Sequence, residues 1–565
     1  MTPTNMEHIK KLFIMPDSAD KFHEFGNELL DLLHSFFTER GGIHSSIQLS
    51  DLEKIFSNTE MPASSQRLSD VLYEIKTKVI AHSVKVGNPY YVGHMTSAIP
   101  YFVILLEMII AALNQNQVKI ETAKASTFLE REFIAWMHRL IFQLPNRFYK
   151  KNIQRKDIAL GNMVVDGTMA NLTAVLVARN KAFPETKDFG GIRLEGIHEA
   201  YNYYGYDRAV VIVSRRGHYS LDKVGRILGI GGKNIIKIPI DSKNTMDIDI
   251  LEETCREIEK VNKKGTGPKT KIIAIIGIAG TTETGNVDNL EEIGRIAKKY
   301  GAHFHIDAAW GGGVIVVDKH RHYFKGIEKA DSVTIDAHKL LYAPPTLGMV
   351  FFKDGSDVKH LMHTSNYIIR KDSVDMGRFS VEGSRPFSSL KAWAIIKIIG
   401  KNGFELIFEH AFELTSAIKR LVNEHENFEA MNDPELFIFN YRFIPKEVHD
   451  KITILRERVA KAKKIKDGSK AALKEAKQLE KMNCTLNDLN IELHKAIREE
   501  DESFVSRTMF DIPKYFYQDC VILRAITVNP LTTAEILEEI ITQQNKLGTR
   551  IFEKHFARKF NKFKI

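Results

Sequence analysis

The chain has 565 residues, a mass of 64.4 kDa, 44% hydrophobic and 27% charged residues, a balance that suits a globular protein of several domains with a large core. It excludes wholesale disorder, a collagen-like repeat and a disulfide-built miniprotein. The formal charge of +9 is local: Lys451–Lys481 carries a net +7 and Arg550–Ile565 a net +5, so the rest nets −3 and offers nucleic acid no general basic face.

Three scattered cysteines, Cys255, Cys484 and Cys520, form no disulfide framework and no Cys-rich zinc site. Residues 1–20 show no basic segment followed by an apolar run, and Ile99–Leu113 is too short to span a bilayer. A cytoplasmic location without membrane contact is expected.

Residues 1–145 read as a helical segment. Phe22–Phe37 and Leu68–Ser83 repeat apolar residues at helical spacing, with a polar loop at Thr59–Gln66 between them. Asn88-Pro89 breaks that pattern. From 146 to 400 the texture becomes α/β. Short β-branched runs at 209–213, 271–278, 304–306, 332–335 and 347–352 alternate with helical stretches such as Leu251–Lys264 and Asn289–Tyr300, which predicts a mostly parallel sheet covered on both faces. Residues 401–565 read as a smaller α+β domain. Phe437–Phe443 alternates at period two, predicting a strand with one buried face, and Val521–Val528 is a second strand. The charged stretch at about 448–500 predicts a solvated helical hairpin turning at Asp467-Gly468-Ser469, and Phe552–Phe563 an amphipathic helix.

The sequence has no P-loop, no dinucleotide fingerprint and no paired CxxC. The pairs His303/His305 and His320/His322 are too commonplace to predict a metal, and none is expected. What stands out is a polar cluster after each of four predicted strands: Ser214–Ser220, Ala279–Thr282, Asp307–Trp310 and Asp336–Lys339. Ligands of open α/β sheets sit outside these strand ends. Asp307 and Lys339 each leave an apolar strand, where a lone charge is costly. They either pair with each other or hold a group between them. Pyridoxal phosphate needs such an arrangement, with a Schiff-base lysine and a carboxylate at the pyridinium nitrogen.

These residues resemble the group II pyridoxal-phosphate-dependent amino-acid decarboxylases over about Asn88–Thr533. Ile306-Asp307-Ala308-Ala309-Trp310-Gly311-Gly312-Gly313, His218-Tyr219-Ser220, Gly280-Thr281-Thr282 and Asn88-Pro89 are similar to the glutamate decarboxylases. Phe504–Thr508, Leu523-Arg524 and Asn529–Thr533 resemble the bacterial aspartate 1-decarboxylase branch. The resemblance implies the aspartate-aminotransferase-type (fold type I) fold, the cofactor pyridoxal 5'-phosphate, an acidic amino acid as small-molecule substrate, and a homodimer with its sites near the interface.

It also implies roles. Lys339 carries the Schiff base, Asp307 binds the ring nitrogen, and His218 and Ala309 flank the ring. Gly167, Thr168 and His338 lie on the phosphate side, and Thr282 near the ring. Arg524 grips the substrate α-carboxylate, Thr96 and Asn116 touch its distal carboxylate, and Tyr367 returns a proton. Two departures stand out: Asp-Ala-His-Lys replaces a proline-containing lysine motif, and Asp166 stands where glycine or serine is usual, an expected outward-turned neighbour of the phosphate. The alternatives are an aromatic amino-acid decarboxylase and a non-catalytic scaffold on the same fold.

Overall fold

The computed structural model describes residues 9–14, 20–39, 41–45, 47–363, 373–464 and 469–563. Its centre is a seven-stranded sheet of β1 (Gly161–Val164), β2 (Arg208–Ser214), β3 (Ile235–Ile238), β4 (Thr270–Ile278), β5 (His303–Asp307), β6 (Ser332–Asp336) and β7 (Gly348–Phe352), in the order β1-β7-β6-β5-β4-β2-β3. The run from β6 to β3 is parallel, and β7 is antiparallel to both neighbours. The β-branched run of β4 explains the arrangement, because every residue in it except Lys271 is buried. Only a strand covered on both faces buries such a run. The short strands β1 and β3 escape the sequence reading, since four residues carry too little pattern.

Helix α1 (Phe22–Thr38) matches its periodicity but buries no residue. Leu68–Glu74 begins as an α-helix and continues through a π turn and a 3₁₀ turn to His82. Helix α2 (Tyr101–Leu113) leaves Tyr101, Leu105, Met108, Ile109 and Leu113 exposed, whereas α3 (Ala125–Phe142) is largely buried. Helix α4 (Gly167–Ala182) follows β1 directly and crosses beneath the carboxyl ends of the central strands. Helix α5 (Ser389–Glu424) is kinked at Gly400.

A second sheet, β10-β11-β9-β8, is wholly antiparallel: β8 (Phe428–Ala430), β9 (Ile438–Phe443), β10 (Ser506–Ile512) and β11 (Gln518–Ile526). All six residues of β9 are buried, not every second one. The reason lies in α6 (Lys446–Lys464) and α7 (Ser469–Glu500), the charged hairpin. It is solvated on one side only. Val448, Ile452, Leu455 and Val459 of α6 and Leu479, Met482, Leu486, Leu489, Leu493 and Ile497 of α7 are fully buried. Asn483 and Asn490 bond Arg442 and the Phe443 backbone of β9. The predicted hairpin turn lies largely outside the described residues. Helix α8 (Ala534–Ile551) leads into a tail that turns Phe552, Phe556 and Phe560 into the same core.

Tyr90–Val92 is laced to this sheet: Phe504 N–H donates to Tyr90 O, Val92 N–H to Phe504 O and Ile526 N–H to Val92 O. Asn529 Nδ2 donates to Asn88 O at 2.8 Å. Among the described residues, no helix is long and apolar enough to cross a membrane.

Buried Glu429 on β8 organises the second sheet. It accepts from Arg456 (2.7 Å), Lys514 (2.9 Å), Arg442 (3.3 Å) and the Tyr515 hydroxyl (2.5 Å). These cations hold its carboxyl well below the ordinary range against the opposing effect of burial. Its stabilisation is therefore full above an ordinary glutamate pKa and fades as pH falls toward the depressed one. Glu429→Ala, which leaves several cations unpaired in the core, is expected to cost about 3–5 kcal/mol at pH 7. Urea denaturation of both proteins checks this, and the difference should shrink in acid.

Candidate active site

The crevice at the carboxyl ends of β2, β4, β5 and β6 is a cavity of about 170 Å³. Its wall brings together Gly167, Thr168, His218, Thr282, Asp307, Ala309, His338 and Lys339, all eight residues that the sequence assigns to a cofactor.

Lys339 lies three residues beyond the end of β6, in a turn whose backbone N–H bonds Asp336 O. Its Nζ is 3.1 Å from Asp336 Oδ2, and His338 Nε2 is 3.6 Å from the same oxygen. Burial raises the Asp336 carboxyl more than Lys339 and His338 lower it. Asp307 ends β5 and is 5% exposed. Its Oδ2 accepts from Asn171 Nδ2 at 2.9 Å and its Oδ1 from the Ala309 N–H at 3.1 Å. The direct Asp307–Lys339 pair does not form. Among the described residues, no cation lies within ion-pair distance of Asp307.

His218 follows β2, and the Ser220 N–H donates to its Nδ1 at 3.3 Å. Burial lowers its imidazole below the ordinary value, opposed by Asp307 and assisted by Lys339. Gly280, at φ +95°, permits the tight turn after β4; a Cβ there would lie 2.7 Å from Trp310 Cδ1. The floor is the start of α4. A Cβ on Gly167 would lie 2.9 Å from Asp336 Oδ2 and 3.1 Å from Ala309 Cβ, so only glycine leaves this cradle open. Asp166 folds back as the helix cap, its Oδ1 accepting from the Met169 N–H at 2.9 Å. The N–H groups of Gly167 and Thr168, without intrahelical partners, remain for an anion.

Arg524, on β11, is fixed by its Nη1 to Thr282 O (2.6 Å) and its Nε to Ser506 Oγ (3.0 Å). Partial desolvation, reinforced by the charges of Arg524 and Lys339, depresses the His94 imidazole below its ordinary value. Thr96 Oγ1 is 2.7 Å from His94 Nδ1. Together with His338 and Lys339, Thr96 lines a wider cleft of about 1180 Å³ that opens toward α1. Asn116 lines neither cavity; its Nδ2 donates to Ser384 Oγ at 2.9 Å. Tyr367 lies outside the described residues.

The sequence reading leaves three neighbours without a role. Asp336 carries the same signal as Asp307, a carboxylate ending an apolar strand. Asn171 sits one helical turn beyond Gly167, so the helical period places both on one face. Nothing in the sequence around His94 marks it.

A family model described as the pyridoxal-dependent decarboxylase conserved domain matches residues 51–444. The chain belongs to the pyridoxal-dependent decarboxylases. It is 36% identical over 548 residues to the aspartate 1-decarboxylase of Aliivibrio fischeri, covering 96% of this chain and 95% of that one. It is 27% identical over 399 residues to the cysteine sulfinic acid decarboxylase of Mus musculus, covering 69% and 74%. The crystal structure of mouse CSAD superposes with a TM-score of 0.74 at 21% identity over 93% of this chain and 99% of that one. That of Oryza sativa TDC with PLP and tryptamine does so with a TM-score of 0.76 at 17% identity over 95% and 100%. These likenesses give the fold as the fold type I, aspartate-aminotransferase type. The enzyme is a carboxy-lyase that uses pyridoxal 5'-phosphate to decarboxylate an amino acid.

Asp166 places a negative charge at the helix terminus that faces the cavity. Asp166→Ser keeps a cap and removes that charge, so affinity for pyridoxal 5'-phosphate is expected to rise about two- to fivefold, the worth of a charge at a helix terminus. Equilibrium titration of the apoprotein checks it.

Proposed function

We propose that the enzyme removes the α-carboxylate of an acidic L-amino acid, converting aspartate to β-alanine or glutamate to γ-aminobutyrate with release of carbon dioxide. The observation that carries this reading is the Arg524 guanidinium, whose Nη1 donates to Thr282 O in the wall of the cavity that also holds Lys339, a fixed cation for an anionic substrate. The likeness to an aspartate 1-decarboxylase over nearly the whole chain supports the acidic class.

The residues present fit the cofactor. Asp307, a buried carboxylate with no cationic partner among the described residues, calls for a cation in the cavity, and a ring nitrogen bearing a proton would provide one. When bound, pyridoxal 5'-phosphate supplies an electron sink for the pair left on Cα by the departing carbon dioxide. Lys339 is the amine that attaches it and gives way to the substrate amine. Asp307 keeps the proton on the ring nitrogen. His218 and Ala309 confine the ring between them, with Thr282 at its edge. The Gly167 and Thr168 amides at the start of α4 hold the phosphate, with His338 on the same side. Arg524, fixed by Thr282 O and Ser506 Oγ, would hold the α-carboxylate in place, a gain of positioning rather than of new chemistry. Thr96 and Asn116 are the candidate contacts to the distal carboxylate, and Tyr367 the proton donor to Cα.

The same reading makes the protein a cytoplasmic homodimer. The exposed apolar residues of α2 and the unburied face of α1 support a partner subunit there.

The test is carbon dioxide release from aspartate, glutamate, cysteine sulfinate and tyrosine by the cofactor-loaded enzyme. Turnover with aspartate or glutamate, lost in Lys339→Ala and reduced at least about 100-fold in kcat/KM by Arg524→Ala, is expected; a charge-assisted grip on a carboxylate accounts for that magnitude. Turnover with tyrosine alone would discard the acidic assignment. The methylene that separates aspartate from glutamate is worth only about 1–3 kcal/mol, so both are measured side by side. In Tyr367→Phe, carbon dioxide release should persist while products divert toward oxidative or transamination by-products, as resolved by chromatography. An unchanged product distribution would remove that role.

A further inference from the structure

A row of buried polar side chains runs from Asp307 away from the cavity. Asn171 Nδ2 donates to Asp307 Oδ2 at 2.9 Å, Asn171 Oδ1 is 3.0 Å from His305 Nε2, His305 Nδ1 is 2.8 Å from Ser332 Oγ, and Ser332 Oγ is 2.7 Å from His303 Nε2. Asn171, His305 and Ser332 are at most 1% exposed and His303 is 7% exposed. Polar groups this deep persist only when their bonds are satisfied.

The direction of each bond follows from one fact: an ionised carboxylate has no proton to give. The Asn171 nitrogen must therefore face Asp307, which agrees with its approach to Ser220 Oγ at 3.5 Å. Its oxygen then accepts from His305 Nε2–H. A neutral His305 offers Nδ1 as acceptor to the Ser332 hydroxyl, and Ser332 Oγ accepts in turn from His303 Nε2–H. Burial keeps both imidazoles uncharged, lowering His305 to about 4 and His303 well below its ordinary value. Thr334 Oγ1, 3.5 Å from His305 Nε2, is too distant to compete.

We propose that Asn171, His305 and Ser332 are positioning residues, which point a series of donors at Asp307 and so hold its carboxylate ionised and aimed at the cofactor ring nitrogen. This rests on the reading of Asp307 given above. The histidines suit the task because a neutral imidazole passes a hydrogen bond through its ring without adding charge, and successive bonds polarise one another in a dry interior. The charged and titratable groups that share the cavity with Asp307 are Lys339, Asp336, His218, His338, Asp166, Arg216 and Tyr219, and His305 lies beneath it. Among the described residues, the row reaches the carboxylate with a neutral donor, Asn171 Nδ2, from the α4 side.

The experiment measures affinity of the full-length apoprotein for pyridoxal 5'-phosphate and the pH dependence of the bound cofactor's visible absorbance, each variant against wild type at the same pH. Ser332→Ala frees His305 to adopt its other tautomer and Asn171 to reverse its amide. A loss of about tenfold in affinity is expected, in the range seen when outer-shell partners of a site are removed, with a displaced absorbance titration. Ser332→Thr keeps the hydroxyl and should restore both. Asn171→Asp sets a second carboxylate against Asp307, so binding should weaken about 100-fold at pH 8 and recover as the pair shares a proton toward pH 6. Asn171→Ala should lose affinity equally at both pH values. Wild-type affinity and absorbance titration in Ser332→Ala, or a pH-independent loss in Asn171→Asp, would overturn the proposal. Asp307→Ala separates the two readings. If it binds the cofactor like wild type, the assignment of Asp307 itself fails; if it does not while the row variants do, only the positioning role fails.

Discussion

A carboxylate buried without a cationic partner among the described residues is the constraint around which the site is organised. Asp307 stands at the end of a central parallel strand, 5% exposed, and its protein contacts are neutral N–H donors. Left alone, such a charge would be expelled or protonated. The fold tolerates it because α4 and β6 carry the groups that feed hydrogen bonds toward it, and because the cavity it borders admits a cationic ring. Lys339, which the same reasoning offers as a partner, is held instead by Asp336. The two carboxylates thus differ in company: Asp336 pairs with the Lys339 amine, and Asp307 borders the cavity with neutral donors on its own side.

The central sheet and the cavity were legible from the sequence for a physical reason. Doubly covered parallel strands must be written as continuous β-branched runs, and a polar cluster after such a run has nowhere to go but the crevice at its end. The runs at 209–213, 271–278, 304–306 and 332–335 each lie within an observed strand, and the four clusters after them meet in one cavity. The second sheet was less legible. The charge of α6 and α7 hides their buried apolar spine, because two helices and their turn can share eleven basic residues over 451–481 and the second helix still bury Leu486 and Leu493. The full burial of β9 follows from that hidden face.

Contacts made across long stretches of chain left no local mark. The charges of Arg524 and Lys339 bear on His94 from more than two hundred residues away in the sequence, and Tyr90–Val92 is hydrogen-bonded beside Phe504 and Ile526, a pairing that composition and periodicity do not encode. The Asp166 cap was visible as a residue type but not as a geometry. An Asp before Gly-Thr can face a phosphate or fold back on its own helix, and only the three-dimensional arrangement decides between them.

The lacing of residues 88–92 to residues 504–532 has a consequence for how the enzyme comes into being. The cofactor cavity is drawn from residues 166–339, which leave the ribosome together and form one sheet. Arg524, which bonds the cavity wall at Thr282, lies on a strand made only in the last tenth of the chain, where Asn529 and Thr532 close a loop of more than four hundred residues onto Asn88 and Pro89. Loops of that span close late and slowly. A nascent chain therefore makes every residue of the cavity wall before it makes the strand that carries Arg524, so the order of synthesis imposes an order on the two parts of the site.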